Sequence, residues 1–133
     1  MADAVTSQIL FDGNRQTVMK FTNASDGTGE TNVVKVNVSA LASYQGKACT
    51  AVDIIKVFVA THGMEVVMRW EAATPVNIAT FGPNIMNTWD MKDVGGIYSN
   101  AAASGKTGNI TFTTLDASAG DAYTVILVLK KVY

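Results

Sequence analysis

Ala51-Val52-Asp53-Ile54-Ile55-Lys56-Val57-Phe58-Val59-Ala60, Thr61-His62-Gly63 and Met64-Glu65-Val66-Val67-Met68-Arg69-Trp70-Glu71 form the stretch whose reading decides the fold. Two segments dense in β-branched and aromatic residues flank a short connection containing a glycine, the pattern of two strands joined as a hairpin. Side chains alternate across a strand. Met64, Val66, Met68 and Trp70 therefore share one face of the second arm, opposite Glu65, Val67, Arg69 and Glu71. In the first arm Ile55, Val57 and Val59 fall together, with Ile54, Lys56 and Phe58 on the other side. No stretch of the chain sustains the 3.6-residue period of an amphipathic helix.

Toward the N-terminus, Val34, Val36 and Val38 alternate with Lys35 and Asn37, which predicts a strand with one buried and one wet face. Asn23 to Glu30 holds two glycines and several turn-forming side chains and reads as an exposed loop. Gln8 to Phe11 reads as a short strand that Asp12-Gly13 turns into a second, Thr17 to Thr22. Met1 to Ser7 is read as an extended N-terminal arm.

Toward the C-terminus, Pro75, Pro83, Gly82, Gly95 and Gly96 break residues 72–104 into two or three short strands. Ala101 to Gly108 is a small-residue loop, Asn109 to Leu115 a strand, Asp116 to Asp121 the last turn and Ala122 to Tyr133 the last strand. That strand is apolar on both sides, with Tyr123, Val125, Leu127 and Leu129 on one face and Ile126, Val128 and Val132 on the other. Such a strand is either central and covered twice or turned toward a neighbour, and the first reading is preferred. Eight or nine short strands without a helix predict an all-β chain, one β-sandwich domain over residues 1–133. A jelly roll is the expected topology and a Greek-key barrel the alternative.

Of the 133 residues, 48% are hydrophobic and only 16% charged, which is apolar for a chain that must stay soluble alone. Part of the apolar surface is therefore expected to meet a partner. Ten basic and eleven acidic side chains give a net charge of −1 with neither sign gathered in a block, which argues against nucleic acid or an anionic membrane as that partner. Cys49 is the only cysteine, so no intramolecular disulfide forms, and it reads as a small buried hydrophobe rather than a reactive thiol. Met1 to Ser7 has neither a basic nor an apolar leader region, so no secretory leader is expected and folding in a cytoplasm is. The longest apolar run, Val125 to Leu129, is far short of the ~20 residues of a transmembrane helix.

No reactive motif assembles in the sequence. Gly105-Lys106-Thr107 ends like a phosphate-binding loop, but Asn100 stands where the motif needs its first glycine, and a strand rather than a helix follows. His62 is the single histidine, which rules out a histidine-rich metal site or a histidine-based triad within one chain. Asp12, Asp26 and Glu30 lack the alternate-residue spacing of a calcium loop and read as solvated turn residues. Trp70 reads as core. Trp89 reads as core too, with a sugar-stacking platform on the loop Asn84 to Asp90 as the alternative. No catalytic, cofactor-binding or metal-ligating residue is assigned, no cofactor is expected, and the chain is not read as an enzyme.

The segments Asp3 to Gly13 and Val18 to Glu30 resemble a family of small virion proteins of marine tailed phages, those of cyanobacteria and pelagic bacteria. The resemblance continues through Ala48-Cys49-Thr50, Gly63-Met64-Glu65-Val66, Trp70-Glu71-Ala72, Gly95-Gly96, Thr107 to Thr114, Gly120-Asp121-Ala122-Tyr123 and Lys131-Val132-Tyr133. Residues 74–89 match least. These are turn and strand motifs, so the resemblance implies a virion structural role and no reaction. The expectation is a capsid decoration or cement protein, a homo-oligomer such as a trimer, that binds the phage major capsid protein after assembly in the host cytoplasm. The alternatives are a tail, neck or fibre subunit bound to a tail protein, and a carbohydrate-binding module.

Overall fold

The computed structural model describes residues 3–97, 105 and 107–133. Period-two alternation of apolar residues, interrupted by glycine, asparagine and aspartate turns, yields nine strands among the described residues: β1 (Ala4–Asp12), β2 (Gln16–Asp26), β3 (Val33–Val36), β4 (Ala51–His62), β5 (Glu65–Trp70), β6 (Val76–Phe81), β7 (Met86–Asp90), β8 (Ile110–Leu115) and β9 (Ala119–Val132). Single 3₁₀ turns occupy Val38–Ala40 and Lys92–Val94. Every pairing is antiparallel. One sheet has the order β1-β2-β9-β4-β7 and the other β3-β8-β5-β6. Strands β2 to β9 thus wind as two Greek keys into an eight-stranded jelly roll, and β1 is an extra strand beside β2. The fold class is the one expected from the sequence, down to the strand number.

One core fills the space between the sheets. Phe21 and Tyr123 from the first sheet meet Phe112 from the second edge to face, with ring centroids 5.3 and 5.8 Å apart. Such contacts add to the gain from burying the rings. Val66, Met68 and Trp70 are buried on the inner face of β5, and Met64 just before it is buried too, as the alternation predicts.

The two arms of the deciding stretch are not a hairpin. β4 lies in the first sheet and β5 in the second, so Thr61-His62-Gly63 carries the chain across the sandwich. Both arms have an apolar face, and stacking those faces across the core buries more than pairing the strands edge to edge would. Gly63 serves the crossing with φ of 80°, and any Cβ there would collide with the Asp121 carboxylate.

Two β-bulges also overturn parts of the pattern. A register shift between Ile54 and Lys56 places Val52, Ile54, Val57 and Val59 in the core, so Ile54 and Ile55 exchange the faces expected of them. A shift between Val34 and Val36 leaves Val34 exposed and buries Lys35 beside Val36 and Val38. The expected loop 23–30 is shorter than read, because β2 continues to Asp26, and Asn23, Ser25 and Glu30 are buried. Residues 4–7, read as an arm, are extended but paired with β2 from Ala4 onward.

β9 is central, between β2 and β4, with Tyr123, Val125, Leu127 and Leu129 buried. Its other face is not sealed as expected. Ile126 and Val128 keep partial exposure, shielded sideways by cross-strand neighbours on β2 and β4.

Candidate functional site

Two polar clusters occupy the inner face at opposite ends of β9. Tyr123 and Lys131 are eight residues apart, roughly 27 Å along a strand. At the first end, Glu30 Oε1 accepts hydrogen bonds from Tyr123 OH (2.6 Å) and Asn23 Nδ2 (2.8 Å), and its other oxygen pairs with Lys35 Nζ. Burial, reinforced by the neighbouring Glu30 charge, pushes the Tyr123 phenol well above its usual range. Asp3 closes this end from outside, accepting from Asn23 Nδ2, Ser25 Oγ and the N–H groups of Asp26 and Gly29. Partial burial works against its ionisation, but these four donors prevail and hold the carboxyl below the usual range.

At the second end, the Lys131 ammonium is fully buried. It pairs with Asp12 Oδ1 and donates to the carbonyls of Gly13 (2.9 Å) and Ala42 (3.0 Å). Asp12 Oδ2 accepts from Ala42 N–H at 2.9 Å. Burial opposes the Asp12 charge, yet the bonds from Lys131 and Ala42 hold its carboxyl low. Glu30 and Asp12 are thus members of buried ion pairs, not the solvated turn residues of the sequence reading. Asn23 Oδ1 is buried without a hydrogen-bond partner among the described residues, and the other polar atoms named here bond within their own cluster, so the chemistry of both is cross-linking of strands and loops.

An exposed apolar band crosses the first sheet. The register β2-β9-β4 sets Val18 opposite Val128 and Ile126 opposite Phe58 on the outer face, all partly exposed. Phe11 pairs with Val18 and is 56% exposed, which extends this apolar band to the sheet edge. Along β1 itself Val5, Ile9 and Leu10 are exposed as well. Single apolar side chains are ordinary on a surface, whereas those of the band are neighbours, flanked by Lys20 opposite Ile126 and Lys56 opposite Val128. The sequence signalled it only as a surplus of apolar residues in β9, without showing that β1 would extend it.

Of the other candidates, Cys49 is buried, and burial pushes its thiol up. His62 is exposed at the end of β4. Trp89, read as core, is instead 36% exposed; it lies on β7 rather than on a loop and sets its ring against Phe81, centroids 5.1 Å apart. Of the Gly105-Lys106-Thr107 motif, Lys106 lies outside the described residues, while Thr107 donates to Glu71 Oε1 (2.7 Å). Among the described residues no three His, Cys, Asp or Glu side chains gather in a way that could hold a metal ion, and no helix is long and apolar enough to cross a membrane.

Fold and surface together define a jelly-roll β-sandwich with an apolar band across the outer face of the first sheet and a long edge strand, β1. No family model and no curated protein matches the chain. Among solved structures, the chain is similar to a cupin superfamily protein from Desulfitobacterium hafniense, at 11% identity over 100% of this chain and 82% of that one, with a TM-score of 0.38.

Proposed function

We propose that the protein is a structural component of a phage virion, a decoration or cement protein that binds the head surface and bridges capsid subunits. The observation that carries this reading is the band Phe11, Val18, Val128, Ile126 and Phe58 on the outer face of the first sheet. It is a surface for contact with another protein, on a scaffold whose buried charges are used up in holding strands together. The sequence resemblance to small virion proteins supplies the setting, and jelly rolls are a common architecture of capsid components. The surface carries the reading, since a fold alone hosts many roles.

Cryo-electron microscopy of intact particles tests the proposal. Density for this chain on the head lattice, with the outer face of the first sheet against a capsid subunit, is the expected result. Density confined to the tail or neck overturns the decoration role in favour of a tail subunit. A glycan-binding role would have to use Trp89 in spite of its packing against Phe81, and a glycan array without a hit retires it.

A further inference from the structure

Each edge of a sheet leaves a row of unpaired N–H and C=O groups that another strand can pair with. Among the described residues this sandwich has four edges, β1 and β7 in the first sheet and β3 and β6 in the second. Three of them are blunted. β3 is four residues long and bulged, β7 is five residues long and ends on Asp90, and β6 is bracketed by Pro75 and Pro83. β1 is the least protected: it has nine residues, no proline, and no charged side chain from Ala4 to Phe11, and its bulge, between Ile9 and Phe11, and its terminal Asp12 both lie beyond the stretch Val5 to Ile9.

The faces of β1 add a second observation. Val5, Ser7 and Ile9 are paired with Asn23, Phe21 and Met19, whose side chains are buried in the core, so all six point to the inner side. Val5 and Ile9 are nevertheless each 45% exposed. β1 therefore overhangs the second sheet, with its inner face uncovered. Thr6 and Gln8 point to the outer face, beside Thr22 and Lys20.

We propose that the free edge of β1 pairs antiparallel with β1 of a second copy of this chain, about a two-fold axis through Ser7. Antiparallel self-pairing is an isologous contact, so it closes after two copies instead of propagating. With Ser7 opposite its own counterpart, Val5 lies opposite Ile9 of the second copy and Thr6 opposite Gln8. The two uncovered β-branched side chains then cover one another on the inner face, polar residues meet on the outer face, and no charges are apposed. Two five-stranded sheets become one continuous sheet, and the least protected edge of each chain disappears. This pairing stands on the edge and its register alone, independently of the virion reading.

Cysteine cross-linking of the full chain tests both the pairing and its register. Cys49 is buried and stays silent. Directly opposed residues on paired strands have Cα atoms about 4.5–5.5 Å apart, within disulfide range, whereas the diagonal relation this register gives to two copies of residue 8 is about 7–8 Å and beyond it. Under mild oxidation Ser7→Cys should give a covalent dimer band that Gln8→Cys lacks. The unmodified chain should sediment at twice the monomer mass, and Ile9→Lys should return it to a monomer with an unchanged circular dichroism spectrum. A monomer or a trimer for the unmodified chain, or a Gln8→Cys dimer as abundant as that of Ser7→Cys, overturns the proposal.

Discussion

Replacing Lys131 by methionine isolates the buried ion pair that fastens the β1–β2 turn to the last strand. Methionine keeps an apolar stem of similar length but removes the charge and all three contacts, to the Asp12 carboxylate and the carbonyls of Gly13 and Ala42. Breaking a buried pair from one side costs about 3–5 kcal/mol, because the remaining charge is left where water solvates it poorly. Asp12 retains 19% exposure and its bond from Ala42 N–H, so the lower end, about 3 kcal/mol, is expected. For a chain of this length that is a fall of about 10 °C in Tm, against a total stability of about 5–15 kcal/mol. Thermal and urea melts followed by circular dichroism measure it. The additional change Asp12→Asn should recover part of the loss, since it removes the stranded charge. The pH dependence has a definite sign. Asp12 is held below its ordinary 3.8 in the folded chain, so its contribution is complete above that value and is lost as pH falls through the lower folded value. The gap between the two proteins should be full at neutral pH and close below 3.8. A Lys131→Met melt within a degree or two of the parent at neutral pH would refute the reasoning.

At the other end of β9, Tyr123→Phe removes a buried hydrogen bond to a charged acceptor and should cost about 1.5–3 kcal/mol in a urea melt. The folded phenol titrates far above its ordinary 10.0, so its contribution is present below that pH and lost as pH rises beyond it, and the cost of the substitution should shrink in alkaline melts. Leu127→Ala, at a fully buried inner-face position, should cost about 2–5 kcal/mol through lost transfer and a residual cavity, measured by the same melts. Val128→Asp, on the partly exposed outer face beside Lys56, should leave a folded chain with native-like circular dichroism but weaken attachment to virion heads in a sedimentation assay. An unfolded Val128→Asp chain would mean that this face is core after all.

The sequence by itself determined the local half of this structure. Period-two alternation in Met64 to Trp70, Asn109 to Leu115 and Ala122 to Leu129 fixes which side chains face inward, because a strand has only two faces and the apolar set must leave water. The Asp12-Gly13 turn does join two antiparallel strands, as its residue types require. What only the tertiary structure decided is everything that depends on distant partners. Thr61-His62-Gly63 looks locally like a hairpin and is a crossing between sheets, since stacking two apolar faces across a core is not a local choice. Lys35 and Lys131 are buried although lysine is ordinarily exposed, because Glu30 lies five residues from the first and Asp12 lies 119 residues from the second, and only the fold brings the latter pair together. Nor could alternation say that β1 would stand beyond the second sheet with its edge and inner face bare. That follows from how far each sheet extends, five strands against four.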